Sequence, residues 1–225
     1  MSLIMNLTRR SALVIASAVL LSVSFLGANP ALAQSKFVEG THYFKLKAPQ
    51  PVSTGAKIEV LEVFSYACLH CATFEPTIQA WKAKSPKNAQ LVLLPAIFNQ
   101  SWVPFARAFY AAQALNVLDK SHAAFFNAIH VERKPFASVD DVANWYGTAG
   151  LGITAKQFND AFLATSLDAK LQASVDRVPK YEVEGTPAMI IDGKYRFDMK
   201  SAGSDAAVPE LINYLVGLTA AQRKQ

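Results

Sequence analysis

Phe64-Ser65-Tyr66-Ala67-Cys68-Leu69-His70-Cys71-Ala72-Thr73-Phe74-Glu75-Pro76 is the stretch where the chain changes character. Before it, Lys57 to Tyr66 (KIEVLEVFSY) is apolar and β-branched, the pattern of a strand buried in the middle of a sheet. After Cys68, Phe74, Ile78 and Trp81 fall at helical spacing, with Pro76 near the start and Pro86 closing the segment. Gln90 to Phe98 (QLVLLPAIF) reads as a second strand. Strand, helix, strand is the opening of an α/β fold. The chain has only two cysteines in 225 residues, and both stand at the strand-to-helix junction.

That placement carries chemistry. The first turn of a helix offers unpaired backbone N–H groups and the positive end of the dipole, both of which favour negative charge. A thiolate is the reactive form of cysteine, so the position lowers the pKa of Cys68. His70 can add positive charge or a donor. Stabilising the thiolate stabilises the reduced protein and makes the disulfide a stronger oxidant, by about 1.4 kcal/mol per pKa unit, or roughly 30 mV for a two-electron couple.

Three blander readings compete. A structural disulfide closing four residues constrains little chain, on the order of 2 kcal/mol. Zinc would need a second half-site, and His42, His122 and His130 are scattered. Two inert core thiols would pair in an oxidising compartment.

Glu62 lies six residues before Cys68, in phase with Val60 and Phe64. A carboxyl pointing into a packed layer there would have a raised pKa and could shuttle a proton to or from Cys71. The alternative is an edge position reached by solvent. Glu59 points the other way and is expected to be exposed. Gly185-Thr186-Pro187-Ala188 precedes two short strands, Ala188 to Ile191 and Tyr195 to Phe197, which Asp192-Gly193 joins as a hairpin. On spacing alone, Pro187 is a strand-initiating proline. The aromatics Phe64, Tyr66, Phe105, Phe109, Tyr110, Phe125 and Phe126 are expected mostly in the core, and Trp102 and Phe98 are expected to pack and not to bind.

Between the two halves, residues 102–165 show helical patterns only. Trp102 to Leu118 and Ser121 to His130 are two helices. Ser138 caps a third, with Asp141 at the fourth position, and Thr154 opens a fourth with Phe158 and Phe162 on one face. Leu167 to Tyr181 is a further helix that Pro179 ends or bends. A last one runs from about Ala206 to Leu218. Residues 36–56 hold Pro49, Pro51 and Gly55 and read as an extended arm and turn.

At the N-terminus, Arg9 and Arg10 precede an apolar run from Ala12 to Ala28, then Pro30 and Ala31-Leu32-Ala33. A basic start, an apolar middle and an A-x-A end read as a secretory signal peptide cleaved after Ala33. The run is short for a membrane anchor, which needs about 20 apolar residues. Thr8-Arg9-Arg10 has part of a twin-arginine signal, with Ala12 where an aromatic is expected. Net charge is +5 over the whole chain and +3 beyond residue 33 by count, with both signs interleaved and no basic stripe. Nucleic-acid binding therefore has little support. Hydrophobic residues are 52% of the chain and charged residues 17%, a composition that excludes disorder.

FSYACLHCATFEP, GTPAMIIDGKY and the long helical insert together resemble the DsbA family of periplasmic thiol:disulfide oxidoreductases, from about Phe44 to Leu218. The resemblance implies a thioredoxin fold interrupted by a helical insertion: residues 34–98 and 166–225 form the thioredoxin part, residues 99–165 the insertion, and the active site lies at their junction. By position, Cys68 resembles the exposed nucleophile and Cys71 the buried partner. His70 resembles the thiolate-stabilising histidine, Pro187 the cis-proline that faces the cysteines, and Glu62 the buried acid. Leu69, Thr186 and Pro187 are the expected substrate contacts. The best-known members have Pro-His between the cysteines, where this chain has Leu69-His70. Thr186 matches the isomerase relatives, whereas the best-known oxidase has Val. The implied partners are newly exported or unfolded cysteine-containing proteins and a DsbB-type membrane oxidase, with no cofactor, no metal and a monomeric state. The implied location is the periplasm. A disulfide isomerase is the rival within the class, but residues 34–56 are too few for the N-terminal dimerisation domain those relatives carry. A redox-inert chaperone module is the rival outside it.

Overall fold

The computed structural model describes residues 36–224. The signal-peptide reading of residues 1–33 lies outside them. Strand β2 (Ile58–Phe64) is buried along its whole length because it pairs on both sides. On one edge it runs parallel to β3 (Ala89–Pro95), and on the other antiparallel to β4 (Ala188–Ile191). Helix α1 (Leu69–Lys84) makes the crossover that a parallel pair requires. Strand β5 (Tyr195–Asp198) pairs antiparallel with β4, and a two-residue strand, β1 (Phe44–Lys45), pairs antiparallel with β5. The sheet order is β1-β5-β4-β2-β3.

Five helices separate β3 from β4: α2 (Val103–Ala114), α3 (Leu118–His130), α4 (Val139–Thr148), α5 (Ala155–Leu163) and α6 (Asp168–Arg177). After β5 come the short α7 (Met199–Ala202) and α8 (Val208–Gln222). This is a thioredoxin fold interrupted by a helical insertion, as the resemblance implies.

Three apolar clusters hold it together. On one side of the sheet, Phe74, Ile78 and Trp81 of α1 and Leu211, Ile212 and Leu215 of α8 pack on Ile58, Val60, Met189 and Ile191. The other side sets Val178 and Tyr181, the turn after α6, against Leu61, Val63 and Ile190. The third cluster joins the inserted helices, through Phe109, Phe125, Phe126, Tyr146 and Phe158, to Phe64, Tyr66, Cys68 and Cys71 at the end of β2. The two cysteines thus sit where the insertion meets the sheet.

Local signals hold where caps and turns define them. Ser138 with Asp141 and Thr154 with Gln157 form capping boxes. Asp192 and Gly193 both have positive φ, 54° and 62°, as a type I′ hairpin requires. A Cβ on Gly193 would stand 2.1 Å from the Gln50 carbonyl oxygen, so glycine is needed for space as well as for conformation.

Several expectations need correction. The arm at 36–56 contains β1, which is too short to show a period and exists only because β5 offers it an edge. The helix expected over Trp102 to Leu118 stops at Ala114, and Asn116 at φ 56° turns the chain, so Leu118 begins α3. The helix expected over Leu167 to Tyr181 runs from Asp168 to Arg177, ending ahead of Pro179, which sits in a 3-10 turn (Val178–Tyr181). Glu59 is buried, not exposed: β2 has neighbours on every side, and the Glu59 carboxylate accepts from the Ser53 N–H and hydroxyl, both at 2.7 Å. Phe98 is 42% exposed. The strand expected to reach it ends three residues earlier, at Pro95, and Phe98 packs on Trp102 with ring centroids 5.3 Å apart.

Candidate active site

Cys68 is the N-cap of α1, and its sulfur takes the place of the usual capping oxygen. The Cys71 backbone N–H donates to Cys68 Sγ at 3.2 Å. The pairing of Val63 with Ala188 brings the preceding Thr186–Pro187 turn against the end of β2, and the Thr186–Pro187 bond is cis. Cys68 Sγ lies 3.4 Å from the Thr186 carbonyl oxygen, its acceptor in the thiol form. Two segments 118 residues apart thereby frame one sulfur.

Both cysteines are free thiols in this structure, and their environments differ sharply. The Cys68 thiol is pulled down to about 5, chiefly by its hydrogen bond with Cys71. Burial opposes this, and Thr186 and the backbone N–H groups of Cys71 and His70 reinforce it. Cys71 goes the other way: burial raises it, and the hydrogen bond and charge of Cys68 raise it further. At neutral pH the reduced pair is one thiolate and one thiol.

The remaining sequence candidates fall around this pair in different ways. Leu69 is 61% exposed and His70 is also exposed. His70 reaches the thiolate through its backbone N–H, while its residue lines a cavity of about 400 Å³ with Thr73, Gly185, Thr186, Pro187 and Met199. Pro187 is buried, and Thr186 is half-buried with its side chain directed at the two sulfurs. Glu62 is buried and not solvent-reached. Its pKa is raised well above the ordinary value by burial first, then by the charges of Glu75 and Cys68.

Three participants were not singled out from the sequence. Glu75 is buried on the inner face of α1 with Cys71, Phe74 and Ile78. Its i+4 spacing from Cys71 is a legible signal, since a carboxyl on that face shares the cysteine's environment. His122 and His130, scattered in sequence, both converge on Tyr66. His122 Nδ1 is 2.8 Å from the Tyr66 hydroxyl, and His130 Nε2 is 2.7 Å from the Tyr66 carbonyl oxygen. Nothing local in the sequence announces that meeting, because it depends on how the insertion docks.

A thioredoxin family profile matches residues 53–210. The thiol:disulfide interchange protein DsbA of Pseudomonas aeruginosa is 36% identical over 180 residues, 80% of this chain and 84% of the relative. DsbA of Pseudomonas syringae pv. tomato is 35% identical over 202 residues, 90% of this chain and 93% of the relative. The crystal structure of P. aeruginosa DsbA superposes with TM-score 0.78 at 35% identity, covering 84% of this chain and 97% of that one. The Xylella fastidiosa DsbA structure gives 0.73 at 33% identity, covering 80% and 96%. With Cys68 capping α1, Cys71 in its first turn and Pro187 beside them, the chain is a thiol:disulfide oxidoreductase and belongs to the DsbA family within the thioredoxin-like proteins.

Proposed function

We propose that the enzyme works as an oxidant, donating the Cys68–Cys71 disulfide to newly exported, cysteine-containing proteins in the periplasm. The observation that carries this is the opposite treatment of the two sulfurs. A thiolate stabilised at Cys68 stabilises the reduced protein, and a stabilised reduced form makes the disulfide oxidising.

In the cycle, a substrate thiolate attacks Cys68 Sγ. The Cys68–Cys71 bond breaks, the substrate–Cys68 bond forms, and the electron pair goes to Cys71. Buried Cys71 is a poor anion, so it takes a proton, and we assign Glu62 as the donor. A second substrate thiolate attacks the substrate sulfur of the mixed disulfide, and Cys68 leaves as the favoured thiolate. The substrate dithiol becomes a disulfide, and the enzyme is left with a Cys68 thiolate and a Cys71 thiol. His70 contributes its N–H to that thiolate. Thr186 and Pro187 frame the sulfur, and with exposed Leu69 they form the surface an extended substrate segment would cover. A DsbB-type membrane oxidase restores the disulfide.

The same reading has residues 1–33 as an export signal removed after Ala33, and a monomer. It treats 34–98 and 166–225 as the thioredoxin part around a 99–165 insertion. Helix α6 belongs to both layers, since Leu171 joins the helical cluster while Val178, just after it, joins the sheet.

The test is the reduction potential of the pair in glutathione buffers, together with trapping. A potential well above that of thioredoxin, and mixed disulfides that accumulate in Cys71→Ser but not in Cys68→Ser, are the expected results. A potential near thioredoxin's would make the enzyme a reductase or isomerase.

A further inference from the structure

Glu62 on β2, Glu75 on α1 and His122 on α3 are each at most 3% exposed. Glu62 Oε2, both oxygens of Glu75 and His122 Nε2 make no hydrogen bond among the described residues. They are nonetheless neighbours. His122 Nε2 lies 3.5 Å from Glu75 Oε2; Phe64, two residues after Glu62 and on the same face of β2, sets its ring 5.0 Å from that of His122, and the charge of Glu75 acts on Glu62, second only to burial. On its other side, His122 Nδ1 meets the Tyr66 hydroxyl. When that hydroxyl donates to Nδ1, the imidazole proton sits on Nε2, the nitrogen facing Glu75.

The cage around them is largely apolar. Phe64, Phe109 and Phe126 edge onto His122, and Leu93 of β3 and Met189 of β4 pair with Glu62 across the sheet. The other ionisable groups facing the cage are Cys68 at the N-cap of α1, Cys71 one turn before Glu75 on the buried face of α1, Tyr66 just after β2, and Tyr146 of α4, which acts on Tyr66. Among the described residues, His122 is the one basic side chain within ion-pair distance of either carboxyl. Two carboxylates cannot both ionise in such a cage, so one proton must be placed between them.

We propose that His122 is a positioning residue for the redox step: by holding Glu75 as the anion, it keeps the shared proton on Glu62, where Cys71 can take it. The inserted helices thereby tune the chemistry of a thioredoxin site. This rests on the assignment of Glu62 as the acid. Without His122, the proton moves to Glu75. Glu62 then loses the negative charge beside it and ionises more readily. A neighbouring charge moves a carboxyl by about 1–3 units, so the pH at which Glu62 gives up its proton falls by about one unit.

The experiment is single-turnover reduction of the oxidised enzyme by a cysteine-containing peptide across pH, corrected for the peptide's thiolate fraction. It compares wild type, His122→Gln, Glu75→Gln, Glu62→Gln and the Glu62→Gln/His122→Gln double variant, with folding checked by circular dichroism. His122→Gln and Glu75→Gln should each move the alkaline limb down by about one pH unit. Glu62→Gln should lose that limb, and adding His122→Gln should change nothing more. A folded His122→Gln whose profile superposes on wild type overturns the proposal. If that variant does not fold, an unmoved limb in Glu75→Gln does the same. A limb that survives in Glu62→Gln refutes the assignment of Glu62 itself, a result distinguishable from the other two.

Discussion

Lowering the pH should destabilise the reduced protein relative to the oxidised one, over a window that the Cys68 environment defines. Its thiol is held at about 5 in the folded protein, against 9.0 as the ordinary value. Between those values the folded reduced chain carries a thiolate while the unfolded chain carries a thiol. The unfolded state therefore binds one more proton, and stability rises with pH by about 1.4 kcal/mol per unit. A depressed pKa gives stabilisation that is full above the unfolded value and is lost as the pH falls through the folded one. From pH 7 to pH 5 the loss is at most ~2.7 kcal/mol, and solvent screening at a site open to substrate brings it to about 2. The oxidised form has no Cys68 thiol and contributes no such slope. Guanidinium unfolding of both redox forms at pH 7, 6, 5 and 4 isolates the effect as a difference. The reduced-minus-oxidised stability should fall by about 2 kcal/mol by pH 5 and flatten below it, equivalent to about 40 mV at the disulfide. A difference that stays constant from pH 7 to pH 5 would show that α1 and the cis-proline turn do not hold a thiolate. Repeating the series in Glu62→Gln separates out the carboxyl that shares the Cys68 charge.

Glu62→Gln should also stabilise the folded protein at neutral pH. A carboxyl raised by burial costs stability as the pH climbs above its unfolded value, and the amide removes that cost; equal denaturation midpoints for the two proteins at pH 4 and at pH 8 would count against it. Gly193→Ala should lower stability by about 1–3 kcal/mol, because the new Cβ meets the Gln50 carbonyl at a positive φ; an unchanged melting temperature would show that the hairpin can shift. Phe125→Ala should cost about 3–5 kcal/mol, since the ring is fully buried against Tyr66, Trp145 and Tyr146. Far-ultraviolet circular dichroism and tryptophan fluorescence should still report one transition, and separate midpoints would mean that the insertion unfolds alone.

Much of the fold was legible because its signals are local. The apolar run before Cys68, the helical spacing of Phe74, Ile78 and Trp81, the Ser138 and Thr154 caps and the Asp192-Gly193 turn each act within a few residues. The failures share the opposite property. Strand β1 is two residues long and takes its identity from β5. Glu59 looked exposed because alternation assigns faces only when one face of a strand is wet, and β2 has no wet face. The strand expected over Gln90 to Phe98 stops at Pro95 because its partner β2 ends at Phe64, opposite it.

The site divides in the same way. The position of Cys68, Cys71 and His70 at the first turn of a helix was readable because chain geometry alone places it, and the phase of Glu62 along β2 pointed it inward. The tertiary structure decided the rest. Pairing of β2 with β4 brings Thr186 and Pro187 to the sulfur. Docking of α3 on α1 sets His122 beside Glu75 and Tyr66. These contacts join residues far apart in the chain, and their energies come from burial and charge in a cage that does not exist until the insertion has packed on the sheet. The order of residues along the chain therefore determined where a reactive thiolate would form. Packing determined which buried groups share its proton, because only packing removes the water that would otherwise screen them from one another.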